Sequence, residues 1–329
     1  MTDFVEKNTI FRCIAGSQAY GMSTPQSDTD TRGVCIAPMD HYLGFVHSFE
    51  QQEDKTTDTV IYDIRKFFKL ATECSPSILE FLWMPEDCVV ITSKWWEKIV
   101  EHRQKFLSIR AKDTFVGYAT AQLKKIRTHR GWLLEKKPKK HPDRSDFGLP
   151  DNAAALVELR KKMAMMTEAG LDPMGVYGKE IEAESKYKKA MKEWEAWKNW
   201  KETRNEKRAA LEEKFGYDCK HAAHLVRLLR VGFEVVLNGN VQVRRPDAEE
   251  LFAIRNGAWT YEQVEDYAEK MQEQIEALVT SGGSILPNAP DREFLNERCA
   301  SIIEIFHWDM DHGIYVFENN VWKLTGRLF

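Results

Sequence analysis

Short β-rich runs alternate with helical spacing through the first hundred residues, and helical spacing dominates after that. TIFRCIA, residues 9–15, stops at Gly16 and predicts a strand feeding a turn. TRGVCIA, residues 31–37, predicts a second strand entered from Asp28-Thr29-Asp30, and DTVIY, residues 58–62, a third. In IRKFFKLA the apolar positions Ile64, Phe67, Phe68 and Leu70 recur at helical spacing, behind an Asp63 placed to open the helix. Ser75-Pro76 ends it. Ile78, Leu79, Phe81 and Leu82 predict a buried helical continuation as far as Pro85, and VVIT, residues 89–92, one more strand. The whole reads as a mixed unit of roughly a hundred residues.

From about residue 95 the period is helical. Phe115, Tyr118, Ala119, Gln122, Leu123 and Ile126 fall on one face. Residues 142–151 read as an irregular loop, followed by a helix over 152–168. Residues 179–215 hold no Gly or Pro and mix charges of both signs, which predicts one long, mostly solvated helix that Gly216 stops. Residues 218–237 predict an amphipathic helix closed by Asn238-Gly239. YEQVEDYAEKMQEQIEALV and SIIEIFHWDM predict helices, and GIYVF a strand. We divide the chain into a domain over 1–110 and a mainly helical domain over 111–329.

Composition narrows the class. A chain of 329 residues with 43% hydrophobic and 11% aromatic content can build a packed core. The net charge of −4 gives no global attraction to nucleic acid, so any such attraction must be local. One place stands out: residues 121–144 carry nine Lys and Arg against two acids, with Trp132 among them. The six cysteines are scattered without a CxxC pair, as in reduced thiols. MTDFVEKNTIFRC has no basic-then-apolar leader, and no 18-residue apolar run exists. The expectation is a cytoplasmic protein, in the host cytoplasm if phage-encoded, with no membrane partner.

The chemistry gathers in AGSQAYGMSTPQSDTDTRGV, residues 15–34. On a strand, Asp28 and Asp30 face the same way, and two adjacent carboxylates repel unless a proton or a cation intervenes. A divalent ion such as Mg²⁺ resolves this, because it takes carboxylate oxygens together with substrate phosphates and water. Gly16-Ser17 suits the same purpose, since glycine lets backbone approach an anion closely. S-D-T-D alone reads as a polar turn after Pro25. The order strand, Gly-Ser, Asp-x-Asp, strand favours a phosphate and metal site. A P-loop is excluded, because GxxxxGK[ST] is absent.

Gly16-Ser17 followed by Asp28-x-Asp30 resembles the signature of the DNA polymerase beta-like nucleotidyltransferase superfamily. The closer likeness is to its RNA repair pathway branch, including predicted proteins of large tailed phages. It extends through YDIRKFFKLATECSPSILEFLW, GYATAQLKKIRTHRGW and YDCKHAAHLVRLLRVGFEVVLNG, to about residue 239. The resemblance implies an α+β fold: a polymerase-beta-like palm of mixed sheet and helices, then a mainly helical C-terminal half. It implies Mg²⁺ or Mn²⁺ as cofactor and two-metal transfer of a nucleotide from an NTP. It also implies a third carboxylate on a neighbouring strand. Asp63, between Tyr62 and Ile64, fits that pattern beside Asp28 and Asp30, although an Asp there also N-caps a helix. Asp58 and Glu80 are the reserves.

Further contacts are expected from other segments. Lys220, His224 and Arg227 lie at i, i+4 and i+7 on one helical face, with His221 adjacent, a cationic stripe suited to a triphosphate or simply a solvated basic face. Arg32, two residues past Asp30, can reach phosphate or neutralise the acids. Lys124, Lys125, Arg127, Arg130 and Trp132 suit RNA, by counterion release and base stacking, or form a solvated surface. The expected reaction is transfer of an NMP to an acceptor hydroxyl, with an RNA 3′ end favoured. The competing readings are nucleotidylation of a protein or small molecule, and a non-catalytic RNA-binding protein of phage–host interaction. Oligomeric state, nucleotide identity and template use are not legible.

Overall fold

The computed structural model describes residues 3–25, 27–134, 138, 140–150, 154–204 and 206–325. The strands are β1 (Thr9–Ala15), β2 (Asp30–Cys35), β3 (Gln51–Asp54), β4 (Thr59–Asp63), β5 (Val89–Ile91), β6 (Tyr315–Glu318) and β7 (Val321–Leu324). The helices of the first half are α1 (Asp3–Lys7), α2 (Gly16–Tyr20), α3 (Asp40–Leu43), α4 (Ile64–Thr72), α5 (Pro76–Leu79), α6 (Lys94–Val100) and α7 (Arg110–Leu133). They are followed by α8 (Ala154–Glu168), α9 (Pro173–Thr203), α10 (Glu206–Phe215), α11 (Cys219–Asn238), α12 (Ala248–Arg255), α13 (Tyr261–Thr280) and α14 (Arg292–Asp311).

The chain forms two compact units, residues 1–125 with 219–329, and residues 126–218. The division does not follow the boundary expected near residue 110, because the C-terminal segment joins the N-terminal one. Trp95, fully buried, donates from its indole nitrogen to Asp309 at 3.0 Å, and Lys94 pairs with the same carboxylate at 2.7 Å. A contact of this kind, more than two hundred residues apart in sequence, leaves no periodic signal.

The first unit is organised by a five-stranded mixed sheet in the order β3-β4-β2-β1-β5. Only β2 and β4 run parallel, with Thr31 opposite Thr59 and Cys35 opposite Asp63. Together with the helices around the sheet, this is the mixed-sheet, helix-rich architecture expected of a polymerase-beta-like fold. Gly33 is needed at the centre of β2, because a Cβ there would meet the Phe11 carbonyl oxygen at 2.5 Å and Ile61 Cδ1 at 2.8 Å. The core beside the sheet is aromatic. Phe11 stacks on Trp96 with centroids 4.0 Å apart, and Phe67 packs against Phe81, Trp96 and Phe106. Ser93 caps α6 by accepting from the Trp96 amide, which fixes the turn that brings both tryptophans inward.

The predicted strands at 9–15, 31–37, 58–62, 89–92 and GIYVF are present within a residue or two. Some elements had no clear sequence signal. α1 is a five-residue helix, β3 is the polar run QQED, and β7 follows β6 through a turn with Asn319 and Asn320 at φ 53° and 61°. The expected buried helix over 78–82 is instead a short α5 followed by a 3-10 turn at Glu80–Trp83.

In the second unit the single helix expected over 179–215 is two helices, α9 and α10, with α9 ending at Thr203. Arg204 turns there to pair with Glu212 at 3.4 Å and Glu213 at 3.0 Å, which ties the second helix back. Gly216, at φ 75°, ends α10 as expected. Within this unit Arg144 pairs with the buried Glu184 at 2.9 Å, and Trp132, His129 and Trp200 pack ring to ring. The loop expected over 142–151 holds a 3-10 turn at Arg144–Phe147; residue 151 lies outside the described residues.

Candidate active site

The parallel pairing of β2 and β4 builds the site. Because Thr31 lies opposite Thr59, Asp30 at the start of β2 is level with Asp58, just ahead of β4. Asp58 stands in the left-handed region at φ 45°, a conformation that Asp tolerates. Its carbonyl accepts from the Thr31 amide at 3.0 Å and from Arg32 Nη1 at 2.5 Å. Arg32 Nη2 reaches Asp58 Oδ1 at 3.0 Å and lies 4.0 Å from Asp30 Oδ1. Of the two uses foreseen for Arg32, its contacts here are those of a neutraliser of the acids.

The two carboxyl groups act on each other's titration. Burial is the largest influence on Asp30, followed by the hydrogen bond and charge of Asp58. Together they push the Asp30 pKa up to about 6, against the pull of Arg32 and Lys220. Asp58 moves the opposite way and stays below the usual range, first through the hydrogen bond from Asp30 and then through Arg32. Asp28, in the loop before β2, is exposed and makes no hydrogen bond or ion pair among the described residues.

Gly16 closes the site from β1. It opens α2 at φ 66°, and a Cβ there would collide with the Asp30 carboxylate. Only glycine lets the backbone pass this close to the acid. Ser17 follows on the same half-buried turn. The loop carrying Asp28 is tied to α2 by Gln18 Nε2, which donates to Thr29 Oγ1 at 3.3 Å.

Asp63 is not part of this cluster. It ends β4 opposite Cys35, five residues from Asp58, on the order of 16 Å away at about 3.3 Å per strand residue. It is 1% exposed, caps α4 by accepting from the Arg65 amide at 2.9 Å, and accepts the Tyr42 hydroxyl at 2.7 Å. The capping alternative describes this residue. The signal for Asp58 was its position: like Asp30, it stands immediately ahead of an apolar strand run, and the two strands enter in the same direction.

Glu80 and Arg227 also differ from expectation. They form a buried pair at 2.6 Å, with Tyr20 donating to the other Glu80 oxygen at 2.9 Å. Arg227 is thus internal, 6% exposed, and not available to a phosphate as expected. Lys220, two turns earlier on α11, is exposed, and its charge acts on Asp30. His221 is half-buried beside it. His224 is exposed, yet desolvation and then the charges of Arg227, His221, Lys125 and Lys220 hold its pKa well below the histidine range. Its imidazole is therefore neutral. The cationic stripe reduces to Lys220 at the site.

On α7, Lys124, Lys125 and Arg127 are exposed and Arg130 is half-buried. Trp132 is 8% exposed and its ring is engaged by His129 and Trp200, so base stacking is not open to it, contrary to expectation. Residues 135–137 and 139 of the basic run lie outside the described residues.

A mixed sheet with a Gly-Ser turn and paired aspartates at one strand end defines a polymerase-beta-type nucleotidyltransferase architecture. The chain belongs to the RNA repair pathway DNA polymerase beta family, whose match covers residues 2–297. That family is one of nucleotidyltransferases assigned to RNA repair. The chain is also similar to an uncharacterised 38.9 kDa protein from the nrdC–mobD intergenic region of Enterobacteria phage T4. The two are 30% identical over 129 residues, 36% of this chain and 38% of that relative. The similarity thus spans well under half of the phage protein. No solved structure matches the chain. No helix among the described residues is long and apolar enough to cross a membrane.

Proposed function

We propose that the chain transfers an NMP from an NTP to the 3′ hydroxyl of an RNA, at the site made by Gly16, Ser17, Asp28, Asp30 and Asp58. The observation that carries this reading is geometric: Asp30 lies close against the Gly16 backbone and stands level with Asp58 at one end of the parallel strands β2 and β4. Two neighbouring carboxyls, one with its pKa raised to about 6, are a donor set whose charge a divalent cation offsets. Asp28, Asp30 and Asp58 would hold Mg²⁺ or Mn²⁺, which would supply charge neutralisation at the triphosphate and a more acidic attacking hydroxyl.

The chain's own residues do the rest. The Gly16-Ser17 turn receives phosphate oxygens, and Lys220 adds positive charge opposite the acids. Arg32 holds Asp58 in place from behind. The acceptor oxygen attacks the α-phosphorus, the bond to the bridging oxygen breaks, and pyrophosphate leaves. Asp58 takes the third-carboxylate place first expected of Asp63 and accepts the proton of the attacking hydroxyl. Phosphoryl chemistry asks mainly for alignment and charge neutralisation, which these side chains provide.

The choice of RNA rests on the family and on charge. Residues 126–218 carry 21 Lys and Arg against 17 acids, whereas the remaining chain carries 26 against 34. The test is incubation with each labelled NTP, Mg²⁺, and total RNA or protein extract. Label in RNA with release of pyrophosphate is expected. Label only in protein, or none with any nucleotide, overturns the reading.

A further inference from the structure

The buried contact among Tyr20, Glu80 and Arg227 joins three separated segments of one unit. Tyr20 is the last residue of α2, the helix that Gly16 opens. Its ring lies beneath the Arg227 guanidinium at 3.7 Å, and its hydroxyl donates to Glu80 Oε2 at 2.9 Å. Arg227 Nη1 donates to Glu80 Oε1 at 2.6 Å, with both charged side chains almost fully buried. The Tyr20 carbonyl accepts from the Arg245 amide at 3.1 Å, so the end of α2 is held from a second side.

The geometry matters because of what each end of the clamp carries. One turn before Tyr20 lies Gly16, close against Asp30, with Ser17 next to it. Two turns before Arg227, on the same face of α11, lies Lys220. A buried ion pair has low net worth for stability against an apolar substitute, but it is specific about geometry. Its cation–π contact and hydroxyl donor fix α2 along α11 in one register.

We propose that Tyr20, Glu80 and Arg227 are positioning residues that set the distance between the Gly16-Ser17 turn and Lys220, so that both converge on one triphosphate. The inference rests on the nucleotidyl-transfer reading of the same site. None of the three touches nucleotide; they act through Lys220. This also accounts for an arginine on the cationic stripe that faces inward.

A double-mutant cycle tests it, with Mg²⁺ and inorganic triphosphate as the probe and calorimetric binding as the readout. Tyr20→Phe keeps the ring beneath Arg227 and removes only the donor to Glu80. It should weaken triphosphate binding about ten-fold in the parent protein, but less than about two-fold in a Lys220→Ala background. A role in stability alone would lower the melting temperature and leave affinity, or its loss, equal in both backgrounds; that outcome overturns the clamp. Should Tyr20→Phe fold poorly, Glu80→Gln keeps the shape and an acceptor, and the same non-additivity is expected of it. If the parent binds no triphosphate at all, both this inference and the proposed reaction fail. Binding that survives both substitutions unchanged overturns the clamp alone.

Discussion

Aspartates stand at both ends of the same stretch of parallel sheet, and the two ends could hardly differ more. At the entry of β2 and β4, Asp30 and Asp58 stand level with each other with the Asp30 pKa raised, Asp58 sits at a positive φ, and Asp28 is exposed nearby. At the exit, Asp63 is buried with every need met by Tyr42 and the first turn of α4. The first end is under electrostatic stress that a cation would relieve; the second is at rest. Strain and unmet charge mark a site, whereas satisfied burial marks a joint of the fold.

The largest effect expected from this contrast is on Asp30. Asp30→Asn should lower nucleotidyl transfer by roughly 10³-fold with the fold intact by circular dichroism. Asp58→Asn should cost roughly 10²-fold, and Asp63→Asn, which can still cap α4, close to nothing in steady-state rate. Reversed ranks for Asp58 and Asp63 would break the comparison. Stability should show the opposite order. Asp63→Ala removes the cap and leaves the Tyr42 hydroxyl without its acceptor, a loss of about 2–3 kcal/mol in denaturant unfolding. The folded fraction should remain fully active.

The titration of the pair gives a smaller and more specific effect. With the Asp30 pKa at about 6, its proton competes with a cation, so Mg²⁺ affinity should rise about ten-fold between pH 5 and pH 7. In metal-free protein the sign for stability is the reverse. A carboxyl whose folded pKa is raised binds its proton more tightly than in the unfolded chain, so stability falls as pH rises from about 4 to about 6. Asp58, shifted down, adds stability that is lost only as pH falls below the ordinary carboxylate range. Chemical unfolding with and without Mg²⁺ across this window reads both. The mildest effect belongs to α7: Lys124→Ala with Lys125→Ala should weaken RNA binding only a few-fold and flatten its salt dependence by about 1.4 to 1.8 log units per log unit of salt.

Much of the sheet was legible because each strand ran between a Gly, Pro or Asp boundary and a change of period. The Gly16-Ser17 and Asp28-x-Asp30 motif was legible for the same reason: its chemistry is local. Asp63 misled because an acid flanked by apolar residues reads alike as a buried ligand and as a cap, and only strand direction separates them. Once β4 is known to run parallel to β2, the acid at its start is brought beside Asp30 and the acid at its end is carried away. Arg227 and Trp132 misled in another way. Helical spacing predicts which residues share a face but not whether solvent or Glu80, His129 and Trp200 cover it. The union of the C-terminal segment with the sheet depends on distant pairs such as Trp95 and Asp309, for which a single sequence holds no pattern.

The most direct test is a crystal soaked with Mn²⁺ and a non-hydrolysable NTP analogue, with the ions located by anomalous scattering. The account predicts manganese bound by oxygens of Asp28, Asp30 and Asp58, with the triphosphate along Gly16-Ser17 and Lys220. Manganese at Asp63, or Asp30 and Asp58 still paired only with Arg32 beside an ordered nucleotide, would contradict it.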